Sequence, residues 1–168
     1  RNPLALFAKE VSEAEVMAAP VMWDGVMTRL MACPPTYGGA AAILCSESFA
    51  AKHGLNATWK IKAPAMTTDY VSTFEAQDMM QVVGYDMTAA AAKQVQEASG
   101  ISIEDVDVVE LHDCFAHNEL ITYEGLGLTP EGTAQKFIAE GDNTYGGKFV
   151  TNPTGSIQSK GPPPGATR

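Results

Sequence analysis

The chain has 168 residues, 45% of them hydrophobic, with 11 basic against 20 acidic side chains and a net charge of −9. That length and apolar content suffice for one globular domain with a core. The acidic balance excludes nonspecific nucleic-acid binding and attachment to anionic membrane surfaces, both of which need positive potential.

The first element is a short surface helix over Ser12–Ala19, announced by Ser12 followed three residues later by Glu15 and stopped by Pro20. Gly38–Ser46 is small and apolar throughout, as a strand buried on both faces would be. SESFAAKHG follows as a helix with Ser46 or Ser48 near its start and Gly54 past its end. Thr58–Met66 alternates weakly and reads as another strand, with Pro64 at an edge or terminus. Residues 69–84 form a polar, then methionine-rich connection with room for a turn of helix, and Met79 and Met80 read as packing. Asp86–Gly100 is an alanine-rich helix capped at Asp86 or Thr88 and closed by Gly100.

After a short turn, Val106, Val108, Val109 and Leu111 read as a buried strand. Helices follow over Asn118–Leu126 and Thr129–Gly141, and then come turns around one short strand. Strand and helix alternate with short connections, so the fold class is α/β. No apolar run reaches the ~20 residues of a membrane helix, and the N-terminus lacks a basic-then-apolar leader. Three cysteines without framework spacing point to reduced thiols in a reducing, cytoplasmic compartment. The chain starts on Arg1 rather than Met, and the expectation is a piece of something longer.

The Val106–Leu111 strand ends in His112, Asp113 and Cys114, with Phe115 behind them. In open α/β sheets, catalytic groups gather beyond the carboxyl ends of strands. A thiol there becomes an acid or base when a positive neighbour or a helix N-terminus brings its pKa toward neutrality. Against this stand a small core cysteine and a His-Asp pair that merely caps the next helix. His112, Asp113, Cys114 and His117 offer ligand types without a second pair at zinc spacing, so no metal is expected. Cys33, before Pro34-Pro35, and Cys45, in the AAAILCS run, read as structural, since neither has a charged residue beside it. No phosphate-binding glycine loop is present.

HDCFAHNELITYEGLGL, GDNTYGGKFVTNPTG and SKGPPPGAT, together with CPPTYGGAAAILCSESFAAKHGL and VVGYDMTAAAAKQV, resemble the sterol carrier protein 2/x type of thiolase over nearly the whole chain. The resemblance implies a partial thiolase fold, five-layered αβαβα with mixed sheets. Residues 1–55 would end the N-terminal half, and 56–168 would form a truncated C-terminal half. It implies that the nucleophilic cysteine lies upstream of Arg1 and that the chain is inactive alone. His112 would help form the oxyanion hole for a thioester oxygen, and Cys114 would be the acid/base at the reacting carbon. Acyl-CoA and coenzyme A would be substrates, with no bound cofactor. The full protein would be a homodimer or homotetramer, with a small acyl-CoA-binding protein as a further partner, cytoplasmic or, in a eukaryote, peroxisomal.

The departure from that family is at the end of the chain. Pro162 stands where the resemblance expects a histidine, and proline offers no donor from side chain or backbone. Ser156 and Gln158 stand where glycine and an apolar residue are expected. Three readings remain: a thiolase acting on 3-oxoacyl-CoA, a non-catalytic thiolase-like partner subunit, and a retro-aldolase on the same fold.

Overall fold

The computed structural model describes residues 2–162. Its first helix, α1, covers Glu13–Ala18 with both halves of the capping box formed: the Ser12 hydroxyl accepts from the Glu15 amide, and Glu15 accepts from the Ser12 amide. A small antiparallel hairpin that the sequence did not announce follows, β1 (Val21–Trp23) with β2 (Met27–Thr28). Helix α2 spans Glu47–Lys52 behind Ser46, whose side chain accepts from the Phe49 amide.

The expected strands at 38–46 and 58–66 are not formed. Both stretches have no regular structure or strand partner among the described residues, with Ile43 98% and Trp59 95% exposed. A doubly buried strand is a property of its neighbours as much as of its own residues, and although the two stretches line one cavity, neither forms a backbone ladder with any described segment.

The hydrophobic core is built from residues 103–149, and Val71 and Phe74 before it stay largely exposed. The long connection holds a 3-10 turn at Val71–Thr73 and one turn of helix, α3, at Met79–Val82. Helix α4 runs Tyr85–Ser99 and ends at Gly100, as expected. Its N-terminal cap is Gly84 rather than Asp86 or Thr88, so Asp86 lies inside the first turn, where a negative charge opposes the helix dipole favourably. Strand β3 is only Val108–Val109, pairing in parallel with β4, Val150–Thr151. With one neighbour instead of two, Val108 stays 54% exposed, so the Val106–Leu111 run is buried only in part.

Helix α5 covers Ala116–Gly125 and α6 covers Ala134–Ala139, both shorter than or offset from their sequence patterns. A further helix, α7, at Ser156–Lys160, replaces what the Gly- and Pro-rich sequence suggested were turns. Gly125 lets α5 close on α4: a Cβ there would meet the Thr88 side chain at 3.1 Å.

The core lies under this second part, formed by Leu111, Tyr123, Leu128, Ala134, Phe137 and Phe149. Tyr123 and Phe137 meet edge to face at 5.3 Å between centroids, and Phe149 stands 6.1 Å beyond. Phe149 reaches its place because the GDNTYGGK loop folds back on itself. The amides of Gly147 and Phe149 donate to the carbonyls of Thr144 and Asp142, each at 2.9 Å. Gly147 lies so close to the Gly141 carbonyl that a Cβ would overlap it, which explains the second glycine of the pair. With so few fully buried aromatics, Phe149→Ala should cost about 3–5 kcal/mol. A melt followed by circular dichroism should lose its cooperative step in that variant and keep it in the exposed control Tyr145→Ala.

Candidate functional site

Residues 111–114 leave β3 and turn into α5 with their backbone held at four points. The Leu111 amide donates to Asn152 Oδ1 at 2.9 Å, and the Leu111 carbonyl accepts from Ser156 Oγ at 2.9 Å. The His112 carbonyl accepts from Asn118 Nδ2 at 2.6 Å. The Cys114 carbonyl accepts from the Cys33 amide at 2.9 Å. Asn118 comes from α5, Asn152 from just after β4, Ser156 from α7 and Cys33 from the segment after the hairpin. Four parts of the chain therefore converge on one strand end.

Asp113 is the anchor rather than a reagent. It is 3% exposed, and its Oδ1 accepts from the Ser156 hydroxyl at 2.6 Å and the Ile157 amide at 2.8 Å. The second bond satisfies a free donor of the first turn of α7, so Asp113 caps that helix from another element. Ser156 sits at φ +41°, in the left-handed region that favours glycine. Its hydroxyl proton, within reach of both the Leu111 carbonyl and the closer Asp113 carboxylate, offsets that strain, giving a local reason why serine stands where the family resemblance expects glycine.

Behind this lies a second polar layer. Glu119 Oε1 accepts from the Tyr123 hydroxyl at 2.5 Å and from Asn152 Nδ2 at 3.3 Å, while Asn143 Nδ2 donates to the Tyr123 oxygen at 3.1 Å. Burial, followed by the nearby charge of Asp113, raises the Glu119 pKa above its ordinary 4.5, against the lowering effect of its hydrogen bonds. Tyr123 is also pushed up, first by its burial and then by Glu119.

His112 lines an open groove of about 420 Å³ between α4 and α5, along with Met87, Thr88, Asn118 and Thr122. Cys114 is not in the lining of that groove. It is partly buried and faces Cys33, and its pKa is raised chiefly by burial and then by the Cys33 sulfur. The two expected site residues thus share one fixed backbone while their surroundings differ. The final loop runs beside Cys33: Gly161, at φ +77°, packs so tightly on the Thr36 side chain and the Pro34 carbonyl that a Cβ would overlap them. Pro162 follows it, and Pro163–Arg168 lie outside the described residues. Among the described residues no three His, Cys, Asp or Glu side chains gather as a metal site, and His117 is exposed.

Two residues that hold the site escaped sequence reasoning. Asn152 looked like part of a turn, and Cys33 looked inert because no charge flanks it in sequence. In space Cys33 feels both Asp113 and Arg29.

A family profile described as "Thiolase C-terminal domain-like" matches residues 68–167. "Sterol carrier protein 2" of Bos taurus is 51% identical over 167 residues, covering 99% of this chain and 31% of that protein. "Non-specific lipid-transfer protein-like 2" of Caenorhabditis elegans is 42% identical over 99% of this chain and 40% of its own length. "Benzoylsuccinyl-CoA thiolase subunit BbsB" of Thauera aromatica is 37% identical over 99% of this chain and 42% of its own length. The chain therefore spans between 31% and 42% of the length of these curated relatives.

Two measurements follow from the polar layers. Asp113→Ala leaves the Ile157 amide buried without its acceptor and should lower stability by about 1–3 kcal/mol. The urea midpoint reads this, with exposed Asp105→Ala as a control that stays within ~0.5 kcal/mol. Glu119 has a folded pKa above its unfolded one, so the folded state holds the extra proton and stability falls as pH rises above the unfolded value. Glu119→Gln should remove that fall, so its urea midpoint changes less than wild type between about pH 5 and about pH 8.

Proposed function

The chain belongs to the thiolase C-terminal domain-like family, and from that premise we propose that it carries the proton-transfer and oxyanion groups of an acyl-CoA thiolase active in lipid metabolism. The reaction would cleave a 3-oxoacyl-CoA with coenzyme A, or run as the reverse condensation. A relative named as a coenzyme A thiolase subunit and others named as sterol carrier and lipid-transfer proteins support that substrate class.

The observation that carries the reading is the pinned strand end. A proton can pass to or from a substrate carbon only at ~3–3.5 Å, so the groups involved need a backbone that does not drift. Residues 111–114 have one, tied by Asn118, Asn152, Ser156 and Cys33. In this reading the His112 ring donates to the thioester oxygen where negative charge develops. Cys114, its pKa raised by burial, rests as the thiol. A thiol is the form that protonates a departing carbanion, which suits the cleaving direction. The acylated cysteine is none of Cys33, Cys45 and Cys114. Ile43, Leu44, Trp59 and Ile61, all largely exposed here, form a face that the rest of the fold or a second subunit would cover.

Pro162 favours a second reading, a thiolase-like subunit that binds but does not turn over. A base and oxyanion donor at that position would be missing, and one lost oxyanion donor costs ~10²–10³ in rate. Replacement of Pro162 by histidine in the whole protein should raise turnover if catalysis is the native role.

The direct test uses the protein at its natural length, acetoacetyl-CoA with coenzyme A, and the loss of thioester absorbance. Cys114→Ala should stop carbon–carbon cleavage of acetoacetyl-CoA, while the enzyme should still take an acetyl group from acetyl-CoA with release of coenzyme A. His112→Ala should lower kcat by ~10²–10³. Full turnover by Cys114→Ala would remove it from the reaction, and turnover by the 168-residue chain alone would sink the proposal that its nucleophile lies elsewhere.

A further inference from the structure

Ala32 and Phe115 form an isolated antiparallel bridge. The Cys33 amide, one residue beyond Ala32, donates at 2.9 Å to the Cys114 carbonyl, one residue before Phe115. That pattern makes Ala32 and Phe115 a non-hydrogen-bonded pair and sets Cys33 across from Cys114, joined by this one backbone bond where the pairing ends. Opposed residues project their side chains from the same face, and in hydrogen-bonded pairs their Cα atoms lie ~5.5 Å apart. Disulfides span ~4.4–6.8 Å between Cα atoms, most often ~5.5–6 Å. Both thiols are free and partly exposed, and a cross-strand spacing of that order lies within a disulfide's reach. Cys45, the third cysteine, is exposed in the unpaired stretch before α2 and has no such partner among the described residues.

We propose that Cys33 and Cys114 are a reversible thiol–disulfide pair that closes in response to a low-molecular-weight disulfide such as oxidised glutathione. One protein thiolate attacks a sulfur of the reagent, breaking its S–S bond and expelling one small thiolate. The second protein thiolate then attacks the mixed disulfide, forms the Cys33–Cys114 bond and expels the other small thiolate. Two protons leave the protein thiols and two electrons pass to the reagent, which ends as two thiols. The bond would take away the proton that Cys114 carries, switching off the reaction proposed above. This last consequence rests on that proposal, whereas the pairing rests on geometry alone.

The test incubates the full chain with oxidised glutathione at mildly alkaline pH, blocks remaining thiols with N-ethylmaleimide and maps the peptides by mass. The expected product is two hydrogens lighter, links residue 33 to residue 114 and carries the alkyl group on Cys45. Unfolding in urea gives the contrast, because loop-closure entropy alone favours the short 33–45 loop roughly 17-fold over the 33–114 loop. A native product dominated by 33–45, or one that stops at separate glutathione adducts on 33 and 114, overturns the pairing. Cys45→Ser should keep the crosslink and Cys33→Ser should abolish it, and loss of the link in neither variant overturns it also. In the whole protein, oxidation should lower turnover at least tenfold and dithiothreitol should restore it. A crosslink that forms without loss of turnover upholds the pair and removes Cys114 from catalysis.

Discussion

The fold around the site depends on a buried carboxylate. Asp113 lies out of water, and a charge so placed must find its partners within the protein. It finds them in the Ser156 hydroxyl and the Ile157 amide. Those bonds start α7, and α7 in turn brings Gly161 against Pro34 and Thr36. The residues on either side of Asp113, one lining a groove and the other facing a second thiol, inherit its position. With the carboxylate in solvent they would keep only their ties to Asn118 and Cys33 and lose the one to α7.

The same economy shows in the two strained residues near it. Asn152 sits at φ +48° and Ser156 at φ +41°, a conformation that costs of order 1 kcal/mol or more for a residue with a side chain. Each supplies side-chain atoms that bond the Leu111 backbone, from opposite ends of that residue. Glycine would adopt either conformation with less strain and would supply nothing. Local strain is exchanged here for a fixed strand end.

What could be read from the sequence was what neighbours in sequence decide. Ser12 and Glu15 announced α1, Ser46 announced α2, and Gly100 marked the end of α4. The strands expected at 38–46 and 58–66 depend on partners elsewhere and did not form. Helix α7 was invisible because its cap arrives from Asp113 across the fold rather than from an adjacent residue. His112 and Cys114 stood out as polar residues at the end of an apolar strand. Cys33 did not, since what gives it significance is the carbonyl opposite it, far away along the chain.

The ties between the strand end and the 152–157 segment span 41, 43, 44 and 45 residues. They therefore close essentially one loop, the one that contains α5 and α6. Closing a loop of that size costs roughly 3 kcal/mol of chain entropy beyond a constant, and only the first tie to form bears the cost. Each later one adds its bond energy with little further ordering. The strand end should therefore acquire its shape in a single late step of folding, after both helices have formed, rather than tie by tie. A nascent chain that has not yet extended past residue 157 has His112 and Cys114 but lacks the α7 contacts that bury and anchor Asp113 between them.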